Sequence, residues 1–313
     1  MATAKAMLVL HGKQAANELV REAVLARREA GWQLDVRVTW EQDDLARFVA
    51  EALAGDYQTL IAGGGDGTLG SVAALLAAAP RRLSLALLPL GTANDFAVAA
   101  GIPLEPASAL ALLDAPAVPV DMGRMNEHFF LNMATGGFGS RVTANTPEEL
   151  KKALGGVAYL LSGLSQLGEV TAVQGRFRGP DFVWEGPFLA FGVGNGRQAG
   201  GGQQLCPQAR IDDGLLDLCI VPAAEGAVGT LGTVIAGGLR GIEAVGESTR
   251  LPWVELEVDE GLDLNLDGEP WVERRMRFSV SPGALNLHLP ADSPLLGVSI
   301  DARQASPRAA GEA

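Results

Sequence analysis

The chain has 313 residues, with 24 Lys plus Arg against 37 Asp plus Glu and a formal net charge of -13. At about 150 residues per domain this predicts two domains with substantial cores, and the acidic balance excludes a nucleic-acid binder, whose affinity comes mainly from cations on phosphates. Composition also excludes wholesale disorder, since 48% of residues are hydrophobic and only 19% charged. Ala6 to Leu10 reads as a short apolar strand, too short for a secretory signal. Gln14 to Ala30 reads as a helix ending at Gly31. Leu34, Val36 and Val38 alternate with polar residues as in a strand. Asp43 or Asp44 can cap a helix running to about Leu53, with Leu45, Phe48, Val49 and Leu53 on its buried face. Thr59 to Ala62 is a strand, about Thr68 to Ala78 an Ala-rich helix, and Leu83 to Leu88 another buried strand. Strands and helices alternating in this way predict a parallel sheet covered on both faces.

The pattern changes near Asp114 to Asp121, where Ala115-Pro116-Ala117-Val118-Pro119 reads as a hinge. Strands dominate beyond it: Phe129 to Met133, Val170 to Phe177, Phe188 to Val193, Leu215 to Val221, Trp253 to Val258, Leu262 to Leu266, Met276 to Val280 and Ala284 to Leu289. Helices are expected at about Pro147 to Leu167 and Ala223 to Leu239. The uncharged stretches Ala153 to Gly168 and Gly226 to Leu239 fall short of a membrane span. The expected organisation is an α/β domain over 1–120, a β-sandwich or barrel-like module over 121–300 and a frayed tail over 301–313. Three His and two Cys, Cys206 and Cys219, form neither a zinc signature nor a disulfide framework, so a reducing, cytoplasmic setting is expected.

Ile61-Ala62-Gly63-Gly64-Gly65-Asp66-Gly67-Thr68 leaves a strand and enters a helix. Glycines there permit positive φ and inward-turned N–H groups, and the helix N-terminus favours an anion, so the segment reads as a phosphate cradle. Gly65 to Gly70 formally matches the dinucleotide fingerprint, but the loop follows the third strand and no acidic residue stands about 20 positions on. A carboxylate inside the loop, Asp66, instead calls for a metal–nucleotide complex in which Mg²⁺ bridges carboxylate and phosphate. Leu88-Pro89-Leu90-Gly91-Thr92-Ala93-Asn94-Asp95-Phe96 is a second strand-to-helix loop. In a parallel sheet both loops open at the carboxyl edge, where ligands bind.

Together the two loops resemble the diacylglycerol kinase catalytic family, and the chain is most similar to its bacterial YegS-type lipid kinases. The first loop alone is shared with sphingosine, NAD and phosphofructo-kinases. The likeness extends to Val36 through Glu41, Asn132 through Gly139, Gly194 through Gln203, Asp213 through Leu216 and Asn265 through Pro270. It implies a phosphofructokinase-like α/β nucleotide domain and a β-sandwich domain, with ATP and Mg²⁺ in the cleft between them. It implies that Thr39, Thr92 and the run Gly65, Asp66, Gly67, Thr68, Leu69, Gly70 and Ser71 contact ATP. Asp267 would accept the proton of the lipid hydroxyl. A structural Mg²⁺, or Ca²⁺ in its place, would use the Asp213 side chain and the backbone carbonyls of Arg210 and Leu215. The family commonly carries Asn-Glu where Gly70-Ser71 stand here. Phosphatidylglycerol is the acceptor the likeness suggests, followed by diacylglycerol and other hydroxylated lipids, and membrane contact is expected to be transient. Two other functions are weighed against it: an NAD kinase-like enzyme with a soluble acceptor, and a non-catalytic nucleotide-binding regulator.

Overall fold

A computed structural model of the chain describes residues 4–41, 43–137, 172–198, 204–223 and 246–297. The helix expected at 147–167, all but the first residue of that expected at 223–239, most of the Gly-rich stretch after Gln198, and the tail lie outside the described residues. Four strands, β1 (Lys5–His11), β2 (Gln33–Thr39), β3 (Thr59–Gly64) and β4 (Ser84–Pro89), pair in parallel in the order β4–β3–β1–β2. They alternate with α1 (Glu18–Glu29), α2 (Asp44–Ala54) and α3 (Asp66–Ala77), and β4 is followed by α4 (Asp95–Ala100) and α5 (Pro106–Ala111). The apolar run of β1 is buried on both faces, as a parallel strand between helix layers must be. Met7 and Val9 pack with Phe48 and Val49 of α2 and Leu69 and Val72 of α3. Ala6, Leu8 and Leu10 pack on the other face with Val20 and Val24 of α1 and Ala109 and Leu110 of α5.

The segment read as a hinge continues directly into a strand, β5 (Val118–Met125). Val118, Val120 and Met122 are buried because they face the first core, which outweighs the turn signal of Pro116 and Pro119. The remaining strands are β6 (His128–Phe130), β7 (Met133–Gly137), β8 (Val173–Gly179), β9 (Phe182–Gly194), β10 (Leu216–Pro222), β11 (Glu247–Leu251), β12 (Trp253–Leu266) and β13 (Glu269–Leu287). Two expected strand pairs are single long strands. β12 absorbs Asp259 to Gly261 at an irregularity between Glu257 and Leu262, and β13 shifts register between Ser281 and Leu285.

The pairing β7–β9–β8–β12–β7 closes on itself. This ring encloses a second core in which Phe177, Phe188 and Phe191 meet edge to face at 5.4–5.9 Å. The two cores share one continuous sheet. β13 pairs with β12 at its start and in parallel with β4 at its end, through Asn286↔Ser84 and Leu287↔Leu85. Leu285, Leu287, Leu289 and Leu295, expected within the second module, therefore fill the first core.

Candidate active site

The carboxyl edge of the parallel strands is built from backbone in close contact. Gly63 and Gly64 are the last residues of β3, and Gly65 is already the N-cap of α3, so the helix begins two residues earlier than expected. None of these glycines uses positive φ; Gly65 sits at -94°. They are glycines because no side chain fits. A Cβ on Gly64 would lie 2.4 Å from the Thr68 hydroxyl, and one on Gly91 would lie 2.5 Å from the Gly65 Cα. The two loops thus touch backbone to backbone, and Leu90 N–H donates to the Gly64 carbonyl at 2.8 Å. With glycine at its N-cap, α3 has no side chain capping its first turn. Its leading N–H groups and dipole face the edge, the arrangement that receives a phosphate.

Asp66 binds the second loop to the first. Its two carboxylate oxygens accept from Asp95 N–H at 3.0 Å and Phe96 N–H at 2.9 Å, so it caps α4 from a different helix. Each oxygen retains acceptor capacity. Asn94 turns inward in the left-handed region, φ 52°, where its side chain bonds both the N–H and the carbonyl of Gly91. Thr92 stays exposed.

The remaining expected contacts divide. Gly67 is exposed with open space around it, and the Thr68 side chain lies over Gly64. Leu69 is 1% exposed in the first core and is not at the edge. The Ser71 hydroxyl donates back to the Gly67 carbonyl at 2.8 Å. Thr39 ends β2 opposite His11, at the same edge as the loops.

Asp267 comes from the other half of the molecule. Asp267 and Gly268 both have positive φ, 49° and 102°, and join β12 to β13 in the two-residue hairpin that an Asp-Gly pair favours. The carboxylate accepts from three successive backbone N–H groups: Leu131 at 2.5 Å, Asn132 at 3.0 Å and Met133 at 2.9 Å. These three donors carried no sequence signal, because any residue supplies a backbone N–H. Despite them, burial pushes the Asp267 carboxyl up to about 6, with the negative charge of Asp66 adding to the rise. It lies directly against α3. A Cβ on Gly70 would be 3.0 Å from the Asp267 Cβ and 3.2 Å from its Oδ2. Gly70 thus opens the place where a carboxylate from the second half meets the helix at the carboxyl edge of the first.

The expected metal turn is differently arranged. Asp213 Oδ1 accepts from Leu215 N–H at 3.1 Å, and its Oδ2 is taken by Arg210 Nε at 3.2 Å and by Arg250. Arg250 also reaches Asp217 Oδ2 at 3.2 Å. The Asp213 carboxylate is neutralised by the chain's own guanidinium groups, so as placed this one side chain of the expected set is not open to a cation. No three His, Cys, Asp or Glu side chains converge as a metal cage among the described residues.

Residues 5–125 match the diacylglycerol kinase catalytic domain, and residues 133–289 match the YegS C-terminal NAD kinase beta sandwich-like domain. A Pseudomonas aeruginosa PAO1 protein named "Probable lipid kinase YegS-like" is 66% identical over 292 residues, which is 93% of this chain and 96% of that one. A Pseudomonas fluorescens Pf-5 protein of the same name is 61% identical over 297 residues, 95% and 99% of the two chains. A crystal structure from Bacillus anthracis str. Sterne shares the fold with a TM-score of 0.79 at 24% identity, covering 93% of this chain and 96% of that chain.

Proposed function

The chain belongs to the diacylglycerol kinase catalytic family in its YegS-type form, and on that premise we propose that it is a lipid kinase moving the γ-phosphoryl group of ATP onto a lipid hydroxyl. The observation that carries this reading is the meeting of Asp267 with α3 at Gly70. A carboxylate raised to about 6 is ionised at neutral pH yet basic enough to accept a proton. The three N–H donors fix its orientation. As the acceptor oxygen attacks the γ-phosphorus and ADP leaves, the hydroxyl proton passes to Asp267. The uncapped N-terminus of α3 and the loop at Gly91 and Thr92 hold the phosphates, and phosphoryl transfer needs little from the protein beyond such positioning and charge neutralisation.

Mg²⁺ suits this site as a companion of the triphosphate. Asp66 and Asp267 repel each other across it, and Asp66 retains lone pairs through which to hold a hard cation. When bound, the ion would offset charge on the phosphates. A cation at the Asp213 turn would first have to displace Arg250.

For the acceptor we favour phosphatidylglycerol, ahead of diacylglycerol. No helix among the described residues is long and apolar enough to cross a membrane, and the net charge of -13 disfavours lasting adhesion to anionic lipid. Contact with the bilayer is therefore transient in this reading. Radiolabelled ATP supplied with a broad lipid extract, purified phosphatidylglycerol, diacylglycerol or NAD tests it. Label is expected in phosphatidylglycerol. Label in NAD alone, or in nothing, would overturn the lipid kinase assignment.

A further inference from the structure

We propose that Trp40 is the platform on which the purine base of the nucleotide stacks. This rests on the kinase reading and deepens it by naming the residue that recognises the base. Trp40 is 86% exposed, the most exposed large apolar side chain of the described residues. Its ring makes no aromatic or cation contact among them.

Three observations point to a nucleobase. The first is position. Trp40 directly follows Thr39 at the carboxyl edge, and β2 is two strands from β3 in the order β3–β1–β2. With neighbouring strands about 4.8 Å apart, the end of β2 stands about 10 Å from the phosphate-facing start of α3. A nucleoside whose phosphates rest on α3 can reach that far along the edge. The second is fixation. Asp44 Oδ2 accepts from Trp40 N–H at 2.7 Å and Glu41 N–H at 3.0 Å, and these bonds lower the Asp44 carboxyl to about 2. The backbone beneath the indole is thereby held at every physiological pH. The third is charge. Glu41 and Asp43 are exposed beside Trp40, and the neighbouring Arg47 is neutralised by its ion pair with Asp44. Such a rim repels phosphates and anionic lipid headgroups, but it suits a neutral, amine-bearing base. It also orients the nucleotide with its base at β2 and its phosphates at α3.

The test compares wild type with Trp40→Ala and Trp40→Phe, using full-length protein. Stacking energies of single bases on aromatic side chains predict that Trp40→Ala raises the KM for ATP roughly tenfold, with the loss in KM rather than kcat. Trp40→Phe should recover most of it. Inhibition by inorganic tripolyphosphate, which has no base, should be the same in all three proteins. ATP should quench part of the tryptophan fluorescence of wild type, and this part should vanish in Trp40→Phe. The melting temperature should scarcely move, because the side chain is 86% exposed. An unchanged KM for ATP in an active Trp40→Ala would overturn the proposal while leaving the kinase reading intact. So would loss of binding to phosphatidylglycerol vesicles without loss of ATP affinity. A wild type that phosphorylates no lipid from any nucleoside triphosphate would instead remove the reading beneath it.

Discussion

Asp267 is a residue whose two environments oppose each other. Burial raises its carboxyl to about 6 while three backbone N–H groups pull it down. If it is the base, Asp267→Asn should abolish transfer and leave nucleotide binding nearly intact, a comparison made by activity assay beside calorimetric titration of ATP. In wild type, kcat should climb as pH rises through about 6, when the carboxylate loses its proton. The linked stability effect has the opposite sense. Its folded value lies above the unfolded value of about 3.9, so the associated stability is complete below that pH and is lost as pH rises through about 6. Denaturant midpoints of wild type relative to Asp267→Asn should therefore fall between about pH 4 and pH 6. Asp66 is a different case. Asp66→Ala leaves the N–H groups of Asp95 and Phe96 without their acceptor and is expected to cost about 2 kcal/mol, read by urea unfolding, while freeing the second loop. At this scale the sequence names candidate side chains but not what they touch. Asp66 reads as a metal neighbour because its acceptors' partners, two backbone N–H groups 29 and 30 residues on, have no side-chain identity.

Among the elements, the strand–helix–strand alternation of the first third was plain in its apolar runs, and Phe48 and Val49 face the core as their spacing indicates. The place of the glycine-rich loop between β3 and α3, at the carboxyl edge of the sheet, was legible, but the reason for its glycines was not. Residues 63 to 65 serve close approach, and the atoms they avoid belong to β1, α3 and the loop at Gly91. Gly91→Ala, whose Cβ would sit 2.5 Å from the Gly65 Cα, should drive the loops apart and weaken ATP binding at least tenfold by titration. β5 was missed because Pro116 and Pro119 signal a turn locally, whereas the burial that makes 118–125 a strand is decided by distant partners. The turn at Asp213 gives a further prediction. With Arg250 in place, Mg²⁺ or Ca²⁺ should leave the melting temperature unchanged. Arg250→Ala should lower it, by taking the guanidinium from Asp217 and one of two from Asp213, and should make it rise again with either ion. A cation-dependent rise in wild type would count against the arginine-closed turn.

Across the whole molecule, two domain-like patterns were readable, but their joining was not. The 19-residue β13 belongs to both cores, and no periodicity reveals that its end pairs with β4. His288, just beyond it, has its ring between the Ala115 carbonyl at 3.0 Å and the Ser84 hydroxyl at 3.1 Å, and burial lowers its pKa. A ring held neutral stabilises the fold fully above about pH 6.5 and progressively less as pH falls below it. His288→Gln should flatten that part of the acid unfolding profile. The placement of β13 also bears on how the chain is made. Leu285, Leu287, Leu289 and Leu295 reach the first core from nearly 200 residues beyond β4, so an N-terminal half emerging from the ribosome cannot bury that face of its sheet by itself. It must wait, with an open β4 edge, until almost the whole chain has been synthesised. A premature stop before residue 285 should therefore yield an insoluble fragment, not an independently folded nucleotide-binding half.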